Sequence, residues 1–442
     1  MASTSRWLLR TATPGCPTTR CRVRSRSSTG CRRTKPGRFS RLRSGSRHPR
    51  AARWLEAAMA DPTEEGPDMT LEDRVTALIS GEQFAMPQRE KDAALASIMG
   101  DLCALVATGC PQYGRFLSRL GRPASDWTSL ADVPPLPVTM FKKFALSAVP
   151  EEQVVRELHS SSTTGQSPSR IFIDKTTAFR QARALVSILK DAIGGARRPY
   201  LVLDVPESVG DGDTLTARGA AIRGIGNFAS STTFAMRQGG DGSVNPDWDV
   251  VSAFFSEHGD QPVLLFGFTF IVWSRFVREA EEHGHRFKAP HAQLLHSGGW
   301  KKLTAESVSK AEFNERTGAV LGMPATAALD FYGMVEQVGT VFVDCPAGNK
   351  HAPAFADIVI RHPHTLEPVA PGEVGIIEVA SVLPTSYPGQ ALMTEDQGEL
   401  LGVDDCPCGR LGQYFRFTSR VERVEVRGCG DTFAAKRDGA TP

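Results

Sequence analysis

The chain lacks several features that would place it in common classes of protein. No run of consecutive apolar residues approaches the length of about 20 that a membrane-spanning helix requires, so we expect no membrane span. Nine cysteines in 442 residues are too few to indicate a disulfide scaffold. A low cysteine content of this kind favours a reducing, cytoplasmic location.

Acidic residues are absent from the first 55 positions, which hold 15 Lys and Arg. The rest has 36 basic and 49 acidic residues, a formal charge of −13, which does not favour nucleic-acid binding. The segment up to about Ala58 fits a basic arm for nucleic acid or membrane, a transit peptide, or sequence upstream of the true start. We favour the last interpretation, expect residues 1–68 to be disordered, and place the first helix after Met69.

Apolar patterning over residues 69–420 predicts an α/β fold of layered sheets and helices. Residues 69–120 have helical spacing, and further helices are predicted over 176–193, 270–282 and 304–317. Strands are predicted at 171–174, 200–204, 262–266 and near 293–295. From residue 338 to about 420 the pattern changes to short strands with turns, at 338–343, 358–361, 375–380, 415–418 and 421–426, which predicts a β-rich subdomain.

A hydroxyl-rich loop precedes the strand at 171–174. Its candidate phosphate-binding residues are Ser160, Ser161, Ser162, Thr163, Thr164 and Gly165. Hydroxyl groups, and backbone N–H groups left accessible by glycine, suit polyphosphate oxygens. The loop does not end in the Gly-Lys-Ser/Thr of a P-loop, and a solvated linker is the alternative interpretation.

Four further motifs indicate a nucleotide site. Tyr332, Gly333 and Glu336 form a turn that can place an aromatic ring on a base and a carboxylate on a metal, or can be a turn with a core tyrosine. Asp396 can accept bonds from two hydroxyls, and the Arg420 guanidinium suits phosphate; an acidic surface turn and an exposed strand arginine are the alternatives. The paired glycines Gly298 and Gly299 allow close backbone approach to a ligand, or make a plain strand-to-helix turn.

These motifs, in this order over most of residues 130–430, resemble adenylate-forming enzymes. Within that superfamily the motif sequences are similar to those of the LuxE acyl-protein synthetases of bacterial luminescence, and phenylacetate–CoA ligases are the next most similar group. The likeness lies in Pro137-Val-Thr-Met-Phe-Lys142, His159-Ser-Ser-Ser-Thr-Thr-Gly165, Ser297-Gly-Gly-Trp-Lys301 and Glu425-Val-Arg-Gly-Cys429. Glu395 and Ser419 stand where the superfamily usually has glycine.

The resemblance implies a role for each motif. Tyr332 would stack on adenine, Glu336 would hold Mg²⁺, Asp396 would bind the ribose hydroxyls, and Arg420 would contact ribose or phosphate. The loop that contains Ser160 would bind the phosphates of ATP, and the Gly298–Gly299 turn would lie beside adenine.

The resemblance also assigns a role to Cys429. CoA ligases of the superfamily carry a mobile C-terminal domain of about a hundred residues; fifteen residues follow Arg427 here, so we expect 421–442 to be a short tail. In the luminescence synthetases a cysteine near this position receives the acyl group. Cys429, between two glycines and near Arg427, would be that acceptor, and an inert cysteine is the alternative.

A second group of cysteines lies in the β-rich part. Cys345 and His351 have the spacing C-x₅-H, and Cys406 and Cys408 have C-x-C. Three thiols and one imidazole can form a closed structural zinc site. Because these are not zinc-finger spacings, unrelated cysteines remain an alternative.

The leading hypothesis is ATP- and Mg²⁺-dependent activation of a carboxylic acid, a long-chain fatty acid in particular, as acyl-AMP. The acyl group then passes to Cys429 and on to an acyl reductase, with an acyl-transferase as a further partner. One alternative is a free-standing ligase that transfers an aryl or other small acid to CoA or a carrier protein. A non-enzyme alternative is nucleic-acid binding through the basic N-terminal arm.

Overall fold

The computed structural model describes residues 69–160, 168–210, 214–240, 242–300 and 307–421. The N-terminal segment 1–68 and the tail beyond residue 421 lie outside these ranges. The first described helix is α1 (Leu71–Ser80), which is preceded by Thr70. The Thr70 hydroxyl accepts the N–H of Asp73, and the Asp73 carboxylate accepts the N–H of Thr70. This reciprocal cap satisfies donors that have no partner within the helix.

Helices and strands alternate along most of the chain. The other helices are α2 (Gln88–Gly109), α3 (Pro111–Leu120), α4 (Met140–Lys143), α5 (Lys175–Ile193), α6 (Ala217–Ile225), α7 (Trp248–His258), α8 (Thr269–Ile271), α9 (Arg278–His283) and α10 (Lys310–Leu321). A π-helical turn, Val272–Val277, joins α8 to α9.

The first eight described strands precede α7. They are β1 (Leu136–Pro137), β2 (Arg156–His159), β3 (Arg170–Ile173), β4 (Arg198–Val202), β5 (Thr214–Thr216), β6 (Ala229–Phe234), β7 (Met236–Gln238) and β8 (Val244–Pro246). The later strands are β9 (Leu264–Phe268), β10 (Gln293–Ser297), β11 (Ala328–Gly333), β12 (Val341–Val343), β13 (Lys350–His351), β14 (Ala356–Arg361), β15 (Val374–Ser381), β16 (Ala391–Val403) and β17 (Gln413–Arg420).

The central sheet has the strand order β12-β11-β10-β9-β4-β6. Its strands run parallel except for the β11–β12 pair. In β4, Tyr200 and Val202 belong to one buried cluster, whereas Leu201 and the following residue, Leu203, belong to another. Both faces of this sheet are therefore covered, as parallel sheets require.

The second sheet has the order β13-β17-β16-β15-β14, with β1 parallel to β16. Its other pairs are antiparallel. Two smaller sheets complete the described fold, namely β3-β2-β5 and the β7–β8 hairpin.

The predicted α/β architecture is confirmed, and most predicted elements lie within a few residues of the observed ones. The helix predicted over 304–317 begins later, at Lys310, where the Ser309 hydroxyl accepts the N–H of Glu312. The strand predicted over 338–343 begins at Val341, because Gly339 makes a turn with φ 91°. A β-carbon at Gly339 would lie 2.6 Å from Cα of Gln181, so this turn packs directly on α5.

The long strand β16 was not among the predicted strands. The predicted strand 421–426 lies outside the described residues apart from Val421, which is not in a strand.

Helix α2 is long and apolar enough, by length and composition alone, to cross a membrane. Leu95, Met99 and Leu102 on this helix are fully buried in the main hydrophobic cluster. Burial of this kind is also typical of the core helix of a globular protein, so the absence of a membrane span stays an expectation.

A buried ion pair joins α2 to β14. The Lys91 ammonium lies 2.9 Å from the Asp357 carboxylate, and both side chains are 1% exposed. Asp357 also accepts the side-chain amide of Gln88 at 2.6 Å. Because both charges are removed from water, neither can lose its partner without a large cost.

We expect Lys91→Met to lower the free energy of unfolding by about 3–5 kcal/mol, because it leaves the Asp357 charge buried and unpaired. The double variant Lys91→Met/Asp357→Leu should lose much less. Lys288 pairs with Asp260 at the surface, so Lys288→Met is the matched control and should cost less than about 1 kcal/mol. Urea unfolding measures all three, and equal losses at Lys91 and Lys288 would contradict the prediction.

Candidate active site

A cavity of about 480 Å³ lies where the parallel strands of the central sheet end. Phe268 and Ser297, the last residues of β9 and β10, line it, as does Gly333 at the end of β11. The carboxyl edge of parallel strands is the usual ligand site of such sheets. The fold therefore places this cavity where a substrate is expected.

Two kinds of residue line the cavity. The apolar ones include five from α5 and α6, namely Leu185, Leu189, Ala220, Ala221 and Ile225. The polar and charged ones include Lys142, Ser160, Glu336, Asp396 and Arg420. The cavity thus combines an apolar wall with charged groups contributed by several separate elements.

Asp396 is held by two of the predicted site residues. The Tyr332 hydroxyl donates to one carboxylate oxygen at 2.9 Å, and Nε of Arg420 donates to the other at 3.0 Å. Asp396 and Arg420 are opposite each other in the β16–β17 pairing, which fixes their separation. Arg420 remains 72% exposed, so most of its guanidinium is accessible to a ligand.

Tyr332 is buried among aromatic side chains. Its ring stacks on Phe417 with centroids 5.8 Å apart, and it also contacts Phe342 and Phe415. Burial and the Asp396 charge raise the pKa of the Tyr332 phenol well above its ordinary value, so it remains a donor. Holding Asp396 is a role that the sequence did not indicate, and adenine stacking by Tyr332 stays a prediction.

Glu336 lies in a short 3₁₀ turn, Val335–Gln337, that follows β11. The Tyr387 hydroxyl donates to the Glu336 carbonyl oxygen at 3.0 Å and so fixes this turn. The side chain is buried, and burial raises the pKa of its carboxyl, while the Ser169 hydroxyl and the Lys142 charge oppose the rise. A carboxyl that lines a cavity offers the oxygen ligands that a divalent cation prefers, so Glu336 fits such an ion.

One residue of the hydroxyl-rich loop is described at the cavity. Ser160 lines it, and the Ser160 hydroxyl accepts the N–H of Ser169 at 2.9 Å. The other predicted phosphate-binding residues, Ser161, Ser162, Thr163, Thr164 and Gly165, lie outside the described residues, as does Cys429.

Gly298 and Gly299 follow β10 directly and are not among the residues that line the cavity. Gly298 has φ 88°, and a β-carbon there would lie 3.0 Å from the Phe268 ring. The conformation therefore requires glycine at this turn. Contact with adenine stays a prediction for both residues.

Lys142 is a cavity residue to which sequence reasoning gave no role. Its ammonium lies 3.1 Å from the Glu395 carboxylate, and both side chains are partly buried. The parallel pairing of β1 with β16 brings α4 to this position, and Val138 N–H donates to the Met393 carbonyl at 2.9 Å. Two features of the sequence could have indicated this ion pair. One is the lysine that ends the motif Pro137–Lys142, and the other is the acidic Glu395 where the superfamily usually has glycine.

The four residues predicted as zinc ligands come together beside the second sheet, in β13 and the adjoining turn and loop. The ligand atoms of Cys345, His351, Cys406 and Cys408 all lie within 4.8 Å of one another. This cluster is separate from the cavity, because none of its members lines it.

Comparison with solved structures identifies the fold. A 2-hydroxyisobutyryl-CoA ligase, solved in an open conformation with 2-HIB-AMP and CoA, superposes with a TM-score of 0.57 at 16% identity. The match covers 84% of this chain and 83% of that one. The same enzyme in its thioesterification state gives a TM-score of 0.57 at 17% identity, covering 82% and 74% of the two chains. The chain therefore has the fold of the adenylate-forming enzymes.

The family follows from the sequence itself. The family model described as "Acyl-protein synthetase, LuxE" matches residues 115–437. The chain therefore belongs to this family. The long-chain-fatty-acid–luciferin-component ligase of Aliivibrio fischeri is 26% identical over 183 residues, 41% of this chain and 47% of that protein. The Vibrio harveyi protein of the same name is 25% identical over 150 residues, 33% and 39% of the two chains. The chain thus matches less than half of the length of each relative.

We expect Tyr332→Phe to lower the free energy of unfolding by about 2 kcal/mol, because it removes a buried hydrogen bond to a carboxylate. In an Asp396→Ala background the same change should cost less than about 0.5 kcal/mol, since the acceptor is already gone. Denaturant unfolding of the four proteins in this cycle measures the coupling. A Tyr332→Phe effect of equal size in both backgrounds would show that the bond contributes nothing specific.

Proposed function

We propose that this protein activates a carboxylic acid, a long-chain fatty acid in particular, with ATP and passes the acyl group to Cys429. A carboxylate oxygen of the acid attacks the α-phosphorus, which gives acyl-AMP and pyrophosphate. The Cys429 thiolate then attacks the acyl carbon, forming a thioester and releasing AMP. The observation that carries the proposal is one cavity in which apolar helix faces meet Glu336, Asp396 and Arg420.

The apolar wall supports an acid with a large hydrocarbon part. The cavity volume of about 480 Å³ falls within the range of about 300–1,000 Å³ typical of small-molecule sites. Ala220 and Ala221 in this wall have small side chains, which leave more room for a substrate than larger ones would. The two curated relatives are named for long-chain fatty acids, which supports the same class of substrate here.

The charged residues support a nucleotide. Asp396 is fixed by Tyr332 and Arg420, and a carboxylate held in this way can accept both ribose hydroxyls. The exposed guanidinium of Arg420 can bind phosphate oxygens. Ser160, the described member of the predicted phosphate-binding set, lines the same cavity.

Glu336 and Lys142 support charge stabilisation during adenylation. Glu336 would hold Mg²⁺, which neutralises phosphate charge when it is bound. Lys142 adds a fixed positive charge to the cavity wall, near Glu336 and paired with Glu395. Positive groups that are in place before the reaction stabilise the negative charge that develops on the phosphates.

The transfer step rests on family membership and on the chemistry of Cys429. A thioester is reactive enough to be reduced, and Arg427 nearby in the sequence favours the thiolate that must attack. An acyl reductase that consumes the thioester is therefore the expected partner, and an acyl-transferase is a further one.

We expect Glu336→Gln to lower acid-dependent exchange of pyrophosphate into ATP by about 10²–10³-fold, because it removes an ionic group that stabilises the transferring phosphates. Glu399→Gln is the matched control. Glu399 of β16 pairs with Arg416 of β17 and does not line the cavity. Pyrophosphate exchange by this variant should therefore be unchanged. Wild-type exchange by the Glu336 variant would remove the proposed role in adenylation.

We expect Cys429→Ser to retain pyrophosphate exchange but to accumulate no hydroxylamine-sensitive acyl label, because an oxygen ester lacks the reactivity of a thioester. Cys103→Ala and Cys110→Ala are the controls, since both thiols are buried in the helical core and should not affect labelling. Incubation with ATP and labelled fatty acid, followed by peptide mapping, measures the label. A label on another cysteine, or on added CoA alone, would replace this proposal with the free-standing ligase.

A further inference from the structure

The cluster of Cys345, His351, Cys406 and Cys408 is built by two turns far apart in the sequence. Cys345 begins the turn that joins β12 to β13, and His351 ends β13. Cys406 and Cys408 lie in the loop between β16 and β17. Each turn is closed by its own backbone bond: the Gly348 N–H donates to the Cys345 carbonyl oxygen at 2.7 Å, and the Gly409 N–H donates to the Cys406 carbonyl oxygen at 2.9 Å.

The distances fit four ligands around one ion. Zn–S bonds of about 2.3 Å in a tetrahedron place two sulfurs about 3.8 Å apart. The sulfurs of Cys345 and Cys406 are 3.9 Å apart, and Nε2 of His351 lies 3.4 Å from the Cys408 sulfur. All pairs lie within 4.8 Å, whereas a disulfide would need sulfurs about 2.05 Å apart.

Backbone and side-chain donors point at the sulfurs. The Asn349 side-chain amide donates to the Cys406 sulfur at 3.4 Å, and the Arg410 N–H donates to the Cys408 sulfur at 3.5 Å. Donors to sulfur of this kind stabilise metal-bound thiolates and orient them. They are an observation independent of the spacing of the four ligands.

The donor set selects the ion and its role. Three thiolates and an imidazole suit zinc, whereas magnesium and calcium prefer oxygen ligands. Cys345, His351 and Cys406 are buried, so four protein ligands would close the coordination shell and leave no position for a substrate. The geometry is therefore that of a structural site.

We propose that these four residues bind one zinc ion that ties the β12–β13 turn to the β16–β17 loop. The tie acts on the strands that carry the cavity's charged groups, since β16 carries Asp396 and β17 carries Arg420. It also holds β13, whose Lys350 pairs with Asp330 of β11 at 2.6 Å. The proposal concerns the stability of the fold and does not depend on the proposed reaction.

Metal analysis of the full-length chain, purified without added metal, tests the proposal. We expect about one equivalent of zinc, as a single four-ligand site implies. Cobalt exchanged into the protein should give the intense visible and thiolate-to-cobalt absorption of tetrahedral sulfur coordination. Removal of the ion by a chelator should lower the melting temperature by several degrees, because an ion that binds only the folded state stabilises it.

Variants separate ligation from a general effect on folding. His351→Ala and Cys408→Ser should lose the metal, whereas His351→Cys restores a fourth ligand and should retain it. Cys110→Ala is the matched control, since Cys110 is buried outside the cluster and its loss should leave the zinc content unchanged. Zinc-free protein without cobalt absorption, or full zinc content in His351→Ala, would overturn the proposal.

Discussion

The candidate site depends on the bond between Tyr332 of β11 and Asp396 of β16, because it joins the two large sheets. Arg420 of β17 completes the arrangement from the other side of the carboxylate. The Tyr332 phenol, which burial keeps protonated, and the Arg420 guanidinium both donate to Asp396. The position of the carboxylate is therefore set by residues of both β11 and β17. The cavity has its shape because the end of the parallel sheet is fixed in this way against the antiparallel one.

Buried charges reinforce the same junction. Lys350 of β13 lies between Asp330 and Asp344, at 2.6 and 3.0 Å. Burial alone would raise the pKa of Asp330, but the neighbouring charge of Lys350 lowers it, so the pair remains ionic. Such groups are costly to remove from water and are stable only when every partner is in place. They therefore favour one relative placement of the two sheets over alternatives with similar apolar burial.

Much of this arrangement could be predicted from local sequence. Apolar periodicity gave α5 and the alternation of strands and helices, and the motifs that contain Glu336, Asp396 and Arg420 do converge on one cavity. The extent of β16 could not be predicted, since Gly398 and its acidic neighbours resemble a turn and become a strand through pairing on both sides. Lys142 was missed because its place depends on a pairing between β1 and β16, which lie far apart in the sequence.

The contact with Lys142 explains how a glutamate can stand at position 395, where the superfamily usually has glycine. A glutamate next to Asp396 would repel the phosphates of a nucleotide, and the ion pair with Lys142 at 3.1 Å compensates for this charge. The cavity wall then holds the carboxyl groups of Glu336, Glu395 and Asp396 against the two cations Lys142 and Arg420. With every carboxyl ionised these five groups carry a charge of −1, which does not attract an anionic nucleotide by itself. A divalent cation at Glu336, as proposed, would reverse that sign, and this would couple nucleotide binding to metal binding.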